Sequence, residues 1–400
     1  MSSTQNSKLK TMRIGIDYTA ALWQGAGIGR YTRELVRALL AQGAGHRYVL
    51  FFAASGMDRR GPYADELRRL CRAYPQVRPA PIPLSPRRLT QLWQRLRLPL
   101  PVELFTGPLD LLHAPDFVLP PTRARTLLTI HDLSFMVYPQ THVPSMVRYL
   151  SAAVPRSLRR ADAVVADSQA TRADLERLLG VAPERVTVVY PGVGPEFRPL
   201  PPEQCEPVRA RLGLPGEFLV FVSTISPRKN VTRLVEAFGS LAAGRPELRL
   251  VIIGQRGWMY EEVFATVERL GLGGRVLEPG FVHDKDLPAV YNLARASVYP
   301  SLYEGFGLPA LEALACGTPL ITADNSSLPE VAGDAALLVP AEDSAALAGA
   351  IARVLDDAEL RARLRAAGPT RARLFGWDGA ARQILACYQA LIHGAPPQHR

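Results

Sequence analysis

Glu304 and Glu312 stand eight residues apart in the run Ser301-Leu-Tyr-Glu-Gly-Phe-Gly-Leu-Pro-Ala-Leu-Glu-Ala-Leu-Ala-Cys-Gly-Thr-Pro319. Between them lies a glycine turn, Gly305-Phe306-Gly307, that runs through Leu308 into Pro309. Pro309 suits the first turn of a helix, where its missing N–H costs nothing. A glycine turn entering a helix N-terminus offers free backbone N–H groups and a favourable dipole, which together suit an anion such as a diphosphate. A carboxylate on each side of that anion can accept hydrogen bonds from sugar hydroxyls. Each acid alone has a plainer reading, Glu312 as a first-turn helix acid and Glu304 as a loop charge.

A second set of charges lies upstream. Ser226-Pro-Arg-Lys-Asn230 follows a strand-like run, Leu219 to Thr224, and precedes a helical pattern from Val231 to Leu241. Arg228 brings a planar fork and Lys229 a point charge, a pair that fits a diphosphate if the strand end faces a ligand. On an ordinary surface the same pair is merely solvated. His131-Asp132 likewise follows a strand, Thr126 to Ile130. Gly25-Ala-Gly-Ile-Gly-Arg-Tyr-Thr32 follows the first strand, but it reads G-x-G-x-G. A loop from Tyr18 to Gln24 intervenes, and no acid follows the second strand, so it is not a dinucleotide fingerprint. Asp284-Lys-Asp286 has a D-x-D form, yet it directly precedes the helical run Leu287 to Leu293 and reads as helix N-terminal acids rather than metal ligands. The four cysteines, Cys71, Cys205, Cys316 and Cys387, are scattered, and the seven histidines form no ligand pattern, so no metal is expected.

The elements that must position these residues alternate throughout. Strand candidates are Met12 to Asp17, Tyr48 to Phe52, Leu109 to His113, Thr126 to Ile130, Ala163 to Ala166 and Val186 to Val189. A stretch from Pro191 to Pro207 with six prolines reads as a linker. Beyond it come Phe218 to Ser223, Leu248 to Ile253, Arg275 to Leu277, Ala296 to Tyr299, Leu320 to Thr322 and Ala336 to Val339. Strands alternating with helices imply parallel sheets covered by helices. The expected fold is therefore α/β: two Rossmann-like, doubly wound parallel-sheet domains facing a cleft, spanning 1–195 and 196–375, with a final helical segment 376–400. In such sheets ligands sit beyond the carboxyl ends of the strands.

The net charge of +10 is unevenly shared: residues 1–195 hold 26 Lys and Arg against 14 Asp and Glu, and the remainder 21 against 23. The excess suggests an anionic partner for one face of the first half, or simply arginine-rich solvated faces. Within it, Leu89, Leu92, Trp93 and Leu96 recur at helical spacing among arginines. They suit an interfacial helix, or a surface helix packed on its own domain. Residues 59–100 are thus where contact with an anionic membrane is expected. No apolar run approaches the roughly 18–20 residues of a membrane span, and Met1 to Thr11 lacks a secretory core, so a cytoplasmic protein, peripheral on the inner face of the membrane, is expected.

The Ser301–Pro319 pattern resembles the donor-site signature of retaining glycosyltransferases of family 4, and the other motifs agree with it in order along nearly the whole chain. The resemblance implies the GT-B architecture, with a last helix crossing back onto the first domain. It implies a donor site of Gly27, Arg228, Lys229, Val282, Asp284, Glu304, Gly305, Phe306, Gly307, Leu308 and Glu312. Arg228 and Lys229 would hold the diphosphate, aided by the backbone at Gly27 and at Phe306 to Leu308. Glu304 would hold the donor sugar and Glu312 the ribose. His131, Asp132 and Glu304 would line the reaction centre, the histidine meeting the sugar near its C6 hydroxyl and Asp132 setting the imidazole tautomer or binding the acceptor. The family generally retains configuration by front-face attack, the leaving phosphate taking the acceptor's proton. No cofactor or metal is implied. The Gly-Ile-Gly-Arg-Tyr-Thr and His-Asp-Leu-Ser-Phe runs look most like bacterial mannosyltransferases of surface-polysaccharide assembly. That implies GDP-mannose as donor and a saccharide or polyprenyl-diphosphate-linked acceptor. A carboxylate at Asp284 would match the two donors on guanine's pairing edge better than the single donor of uracil.

Two other functions fit parts of the sequence. A sugar-nucleotide epimerase shares the architecture. A basic nucleic-acid-binding protein fits the charge, but it leaves the two glutamates unexplained, and no nucleic-acid partner is expected. A periplasmic sugar-binding protein would need the secretory segment that is not seen.

Overall fold

The computed structural model describes residues 11–25, 27–280 and 282–393. Ala26 of the glycine loop, Phe281 of the Gly280–Asp284 stretch, and the ends of the expected 1–195 and 376–400 segments lie outside them. Two parallel sheets organise the chain. The first has seven strands in the order β3-β2-β1-β4-β5-β6-β7: β1 (Arg13–Asp17), β2 (Arg47–Ala53), β3 (Val77–Ile82), β4 (Leu111–Ala114), β5 (Arg125–Ile130), β6 (Ala163–Ala166) and β7 (Val186–Val188). The second has six in the order β10-β9-β8-β11-β12-β13: β8 (Glu217–Val222), β9 (Leu248–Ile253), β10 (Val276–Gly280), β11 (Ala296–Tyr299), β12 (Leu320–Ala323) and β13 (Ala336–Val339).

Most of these strands are short apolar runs buried on both faces, as a helix-covered parallel sheet requires, the sheet-edge strands β3, β7, β10 and β13 being less covered. All of β4, β11 and β12 is buried. Each such Leu, Ile or Val contributes roughly 1.5–3 kcal/mol of burial. β3 reads Val-Arg-Pro-Ala-Pro-Ile and carries no obvious strand signal. Pro79 and Pro81 cannot donate to a ladder, and the strand is tolerated because it lies at the sheet edge, paired to β2 alone.

The chain crosses between the halves twice, and the crossings touch. Val193 bridges Gly376, and a Cβ on Gly192 would lie 2.2 Å from the Trp377 amide nitrogen. The second crossing leads into the helix Trp377–His393, whose Trp377, Ala381, Ile384 and Tyr388 join the core of the first half. The Tyr388 hydroxyl lies 2.8 Å from His113 Nδ1 at the end of β4. Among the described residues no helix is long and apolar enough to cross a membrane.

The expected amphipathic helix over residues 86–101 is shorter than its pattern. A helix at Pro86–Thr90 continues as a single wide turn, Gln91–Arg95, and ends there. Leu89 is buried in the core of its own domain, with Trp93 packed beside it. The stripe therefore turns inward at Leu89 and Trp93 but not at its last member, Leu96. Exposure begins only past the turn, at Leu96, Leu98 and Leu100.

Candidate functional site

In each sheet the strand order reverses once, between β1 and β4 and between β8 and β11. Loops beyond those points diverge and leave a crevice at the carboxyl ends of the strands. The first crevice is flanked by the loop carrying Gly27 and by Pro115-Asp116. The second is flanked by Ser226–Lys229 and by Ser301–Gly307. Because β8 and β11 are neighbours, with Ala296 paired to Leu219 and Ser297 to Val220, residues far apart in the chain meet there.

Lys229 Nζ donates to Glu304 Oε1 at 2.6 Å, and Arg228 Nη1 donates to Oε2 at 2.9 Å. The Tyr299 hydroxyl donates to Oε1 at 2.9 Å and accepts from Lys229 at 2.8 Å. Lys229 and Glu304 are both more than nine-tenths buried. Burial pushes the Glu304 carboxyl up, but Arg228 and Lys229 outweigh it and hold it at about 2. Burial lowers Lys229 to about 8 against the pull of Glu304, whereas Arg228 is raised, Glu304 prevailing over burial. The two cations share one bonded carboxylate, with Asp132 as a further acid within electrostatic reach, so an arriving anion would compete with Glu304 for both. Both carboxylate oxygens of Glu304 are engaged by the cations. The residue expected to hold the sugar instead holds Arg228 and Lys229 in this structure.

The adjoining turn is built to expose its backbone. Ser327 Oγ donates to the carbonyls of Glu304 and Phe306, and Ser326 Oγ accepts from the Glu304 amide. The amides of Gly307 and Leu308, at the entry to the helix Leu308–Ala315, donate to no backbone carbonyl among the described residues. Gly307, at φ +108, adopts a backbone that side chains disfavour.

Glu312 is buried in that helix, and its partner comes from the other half. Arg30 Nη1 donates to Oε1 at 2.7 Å, and the Tyr291 hydroxyl to Oε2 at 3.2 Å. Burial raises Glu312 to about 7, opposed by Arg30 and reinforced by Asp284. Asp284 is exposed and close enough to stabilise the Arg30 cation as well. Asp286 is turned elsewhere, pairing with Arg211 at 2.7 Å, so the two acids of Asp284-Lys-Asp286 do not share a site. The Val282 side chain belongs to the core of the second half, which leaves only its backbone to meet a ligand.

His131 lies at the end of β5 with both ring nitrogens engaged: Nδ1 is 2.7 Å from Asp167 Oδ2, and Nε2 is 2.8 Å from the Pro115 carbonyl. A carbonyl only accepts, so Nε2 carries a proton, and an ionised Asp167 favours a second proton on Nδ1. Burial lowers the imidazole, but Asp167 outweighs it and lifts it to about 9. This corrects one expectation, the setting of the imidazole tautomer by Asp132. The residue that orients His131 is Asp167, whereas Asp132 caps its own turn by accepting from the Ser134 amide at 2.8 Å. Both ring nitrogens of His131 are engaged within the protein. Asp116 sits in the same neighbourhood, and burial raises it to about 6 against the pull of His131. Asp167, Asp116 and Arg30 were not singled out from the sequence. The signal available for each was its place at or just beyond a strand end or a glycine loop.

The glycines divide by cause. A Cβ on Gly305 would lie 1.9 Å from the His131 carbonyl oxygen, so that glycine lets the two halves meet. A Cβ on Gly27, at φ +58, would meet nothing within 4 Å, so its backbone borders open space, as close approach of a ligand requires. Other contacts draw the cleft shut. Glu330 accepts from the Gln169 and Ala170 amides at 2.9 and 2.7 Å, the Tyr303 hydroxyl donates to Asp174 at 2.6 Å, and Trp258 donates to the Thr141 carbonyl at 2.7 Å.

Comparison with known proteins bears on this geometry. A family model described as "Glycosyltransferase Family 4" matches residues 25–197, and one described as "Glycosyl transferases group 1" matches residues 208–371. O-antigen chain mannosyltransferase B of Escherichia coli is 32% identical over 91% of this chain and 96% of its own. The serotype-specific mannosyltransferase WbdA of the same organism is 30% identical over 59% of this chain and 30% of its own. Among solved structures, sucrose-phosphate synthase from Thermosynechococcus elongatus superposes with a TM-score of 0.75 at 24% identity, covering 96% of this chain and all of that one, and shares the GT-B fold. The two family models together cover every strand of both sheets except β1, and the chain belongs to glycosyltransferase family 4.

Proposed function

We propose that this glycosyltransferase moves mannose from GDP-mannose to a saccharide hydroxyl, with retention of configuration, in polysaccharide or glycolipid synthesis on the cytoplasmic side of the membrane. The observation that carries the reading is the buried Glu304–Arg228–Lys229 cluster beside the open amides of Gly307 and Leu308. A donor diphosphate arriving there draws Arg228 and Lys229 onto its oxygens, which frees the Glu304 carboxylate for the donor sugar. The new bond forms between the acceptor oxygen and C1 while the bond from C1 to the phosphate oxygen breaks, and the leaving phosphate takes the acceptor's proton. The two cations and the backbone amides stabilise charge on that phosphate. In this reading they do the work of a metal, and activity persists in EDTA.

The mannosyltransferase among the relatives supports mannose. The placement of Asp284 beside Arg30 and Glu312 supports guanine over uracil if Glu312 holds the ribose. Calorimetry with GDP, UDP, GDP-mannose and UDP-glucose, on the wild type and on Lys229→Ala, tests the reading. Tight GDP binding that weakens on the order of a hundredfold in the variant is expected, as for loss of charged hydrogen bonds to an anion. Preference for UDP would discard mannose and the role of Asp284. Release of a free nucleotide-sugar epimer without acceptor would replace transfer by epimerisation.

A further inference from the structure

A cavity of about 400 Å³ opens in the first half, on the face formed by the helix Pro144–Arg160 and the turn Gln91–Arg95. Arg95, Arg148 and Arg156 line it together with Gln94, Ser145 and Tyr149, and its lining contains no Asp or Glu. Arg156 is held in place by donating to the Gln94 carbonyl at 2.9 Å, and Gln94 is itself buried and bonded to the Leu119 carbonyl at 3.2 Å. Three like charges around one hollow repel each other and weaken the fold unless an anion is shared among them. Arginine forks are suited to phosphate oxygens, which they can grip two at a time.

The segment that follows Arg95 out of the cavity wall is apolar and exposed. Directly after Arg95 the chain exposes Leu96, Leu98, Leu100 and, one short turn later, Leu104, at 65, 38, 42 and 64%. A cluster of exposed leucines beside an arginine hollow fits an amphiphile with an anionic head and a hydrocarbon tail. Tyr149 on the cavity wall lies within electrostatic reach of Asp116, and Asp116 within reach of His131.

We propose that the Arg95–Arg148–Arg156 cavity is the binding site for the diphosphate of a lipid-linked saccharide acceptor, with the exposed leucines at 96–104 lying along its hydrocarbon chain at the bilayer surface. The inference rests on the transferase reading above and deepens it on the acceptor side. The diphosphate is anchored outside the cleft, and the sugar it carries extends past Tyr149 toward Asp116 and His131. This arrangement leaves the donor diphosphate its own cations, Arg228 and Lys229.

The test is vesicle flotation with the full chain. Phosphatidylcholine vesicles carrying geranylgeranyl diphosphate are compared with vesicles carrying phosphatidylglycerol at equal charge density, and inorganic diphosphate serves as a soluble competitor. The variants are Arg95→Gln with Arg148→Gln, both exposed positions, and separately Leu96→Ser with Leu98→Ser. GDP binding is measured in parallel. The proposal expects preferential binding to the diphosphate lipid. That binding should weaken about 10- to 100-fold in the arginine pair, the worth of one or two charged hydrogen bonds, and fall in the leucine pair, with GDP affinity unchanged in both. Equal binding to the two anionic vesicles would overturn it in favour of a general membrane contact. Diphosphate-lipid binding indifferent to the arginine pair would overturn the site itself. Loss of GDP binding in the wild type would instead sink the donor reading and leave the cavity result standing on its own.

Discussion

Arg30 and Glu312, 282 residues apart, meet at 2.7 Å across the cleft, each in the first turns of the helix that follows a glycine turn in its own half. The pair joins the glycine-turn helices of the two halves. Arg30 holds Oε1 and the Tyr291 hydroxyl holds Oε2, and each carboxylate oxygen keeps a second lone pair for a further donor.

The pair sets a pH dependence. Burial lifts Glu312 to about 7, above the ordinary carboxyl value, so the folded state holds this proton more tightly than the unfolded chain does. Stability therefore declines as pH rises from about 4.5 to about 7 and levels off above that. Glu312→Gln removes the titrating group. Thermal unfolding at pH 5 and pH 8 should show the wild type losing on the order of 1 kcal/mol or more that the variant keeps. Equal losses in both proteins would reject the assignment.

Glu304 runs in the opposite direction. Its carboxyl is held at about 2, so the stability it contributes is present above about 4.5 and is lost as pH falls toward 2. Glu304→Gln removes the carboxylate bonded to both Arg228 and Lys229, leaving only the more distant charge of Asp132. At pH 7 it should cost about 3 kcal/mol in chemical denaturation, as expected for breaking a buried ion pair on one side. The gap from wild type should shrink at pH 3, and a gap constant with pH would show that the carboxylate charge is not the cause.

His131 is expected to stay doubly protonated through neutral pH. Its folded value of about 9 lies above the ordinary 6.5, so its contribution to stability is complete below about 6.5 and disappears as pH rises through about 9. Nitrogen-15 shifts of the imidazole should report two N–H groups at pH 7.5. Asp167→Asn should bring the transition down by at least one unit, while Asp132→Asn should move it far less. A neutral ring at pH 7.5 in the wild type would contradict the double-acceptor geometry.

Gly305→Ala and Gly27→Ala should separate closure from donor binding. The methyl at residue 305 runs into the His131 carbonyl, so transfer should fall by on the order of a hundredfold through misplacement of the two halves, with GDP affinity nearly kept. X-ray scattering should show a more open particle. The methyl at residue 27 meets no protein atom, and its positive φ costs roughly 1–2 kcal/mol. Its principal effect should be weaker donor binding. If both variants lost GDP affinity equally, the division between them would be wrong.

Much of the fold was legible because parallel strands buried on both faces leave a local mark. β6, β9, β11 and β13 match their apolar runs residue for residue, and the proline-rich segment marks the first crossing. β3 escaped because its two prolines erase the strand pattern, and only its edge position makes it viable. The helical stripe at Leu89–Leu96 was visible in spacing, but periodicity does not say which side a stripe faces. Here packing turned Leu89 and Trp93 inward and left the leucines after Arg95 exposed.

By itself the sequence determined which residue types stand at strand ends and helix starts: the Glu304–Glu312 spacing, the Arg228-Lys229 pair, and the glycines that allow close approach. Spacing and propensity are local properties and can be read along the chain. Only the tertiary structure decided who meets whom. It set Glu304 against Arg228 and Lys229 through the adjacency of β8 and β11, gave Glu312 to Arg30, gave His131 to Asp167 instead of its neighbour Asp132, and gathered three arginines around one hollow. Those pairings depend on strand order and on how the two halves close. Both are set by burial summed over the whole chain, so no single segment records them.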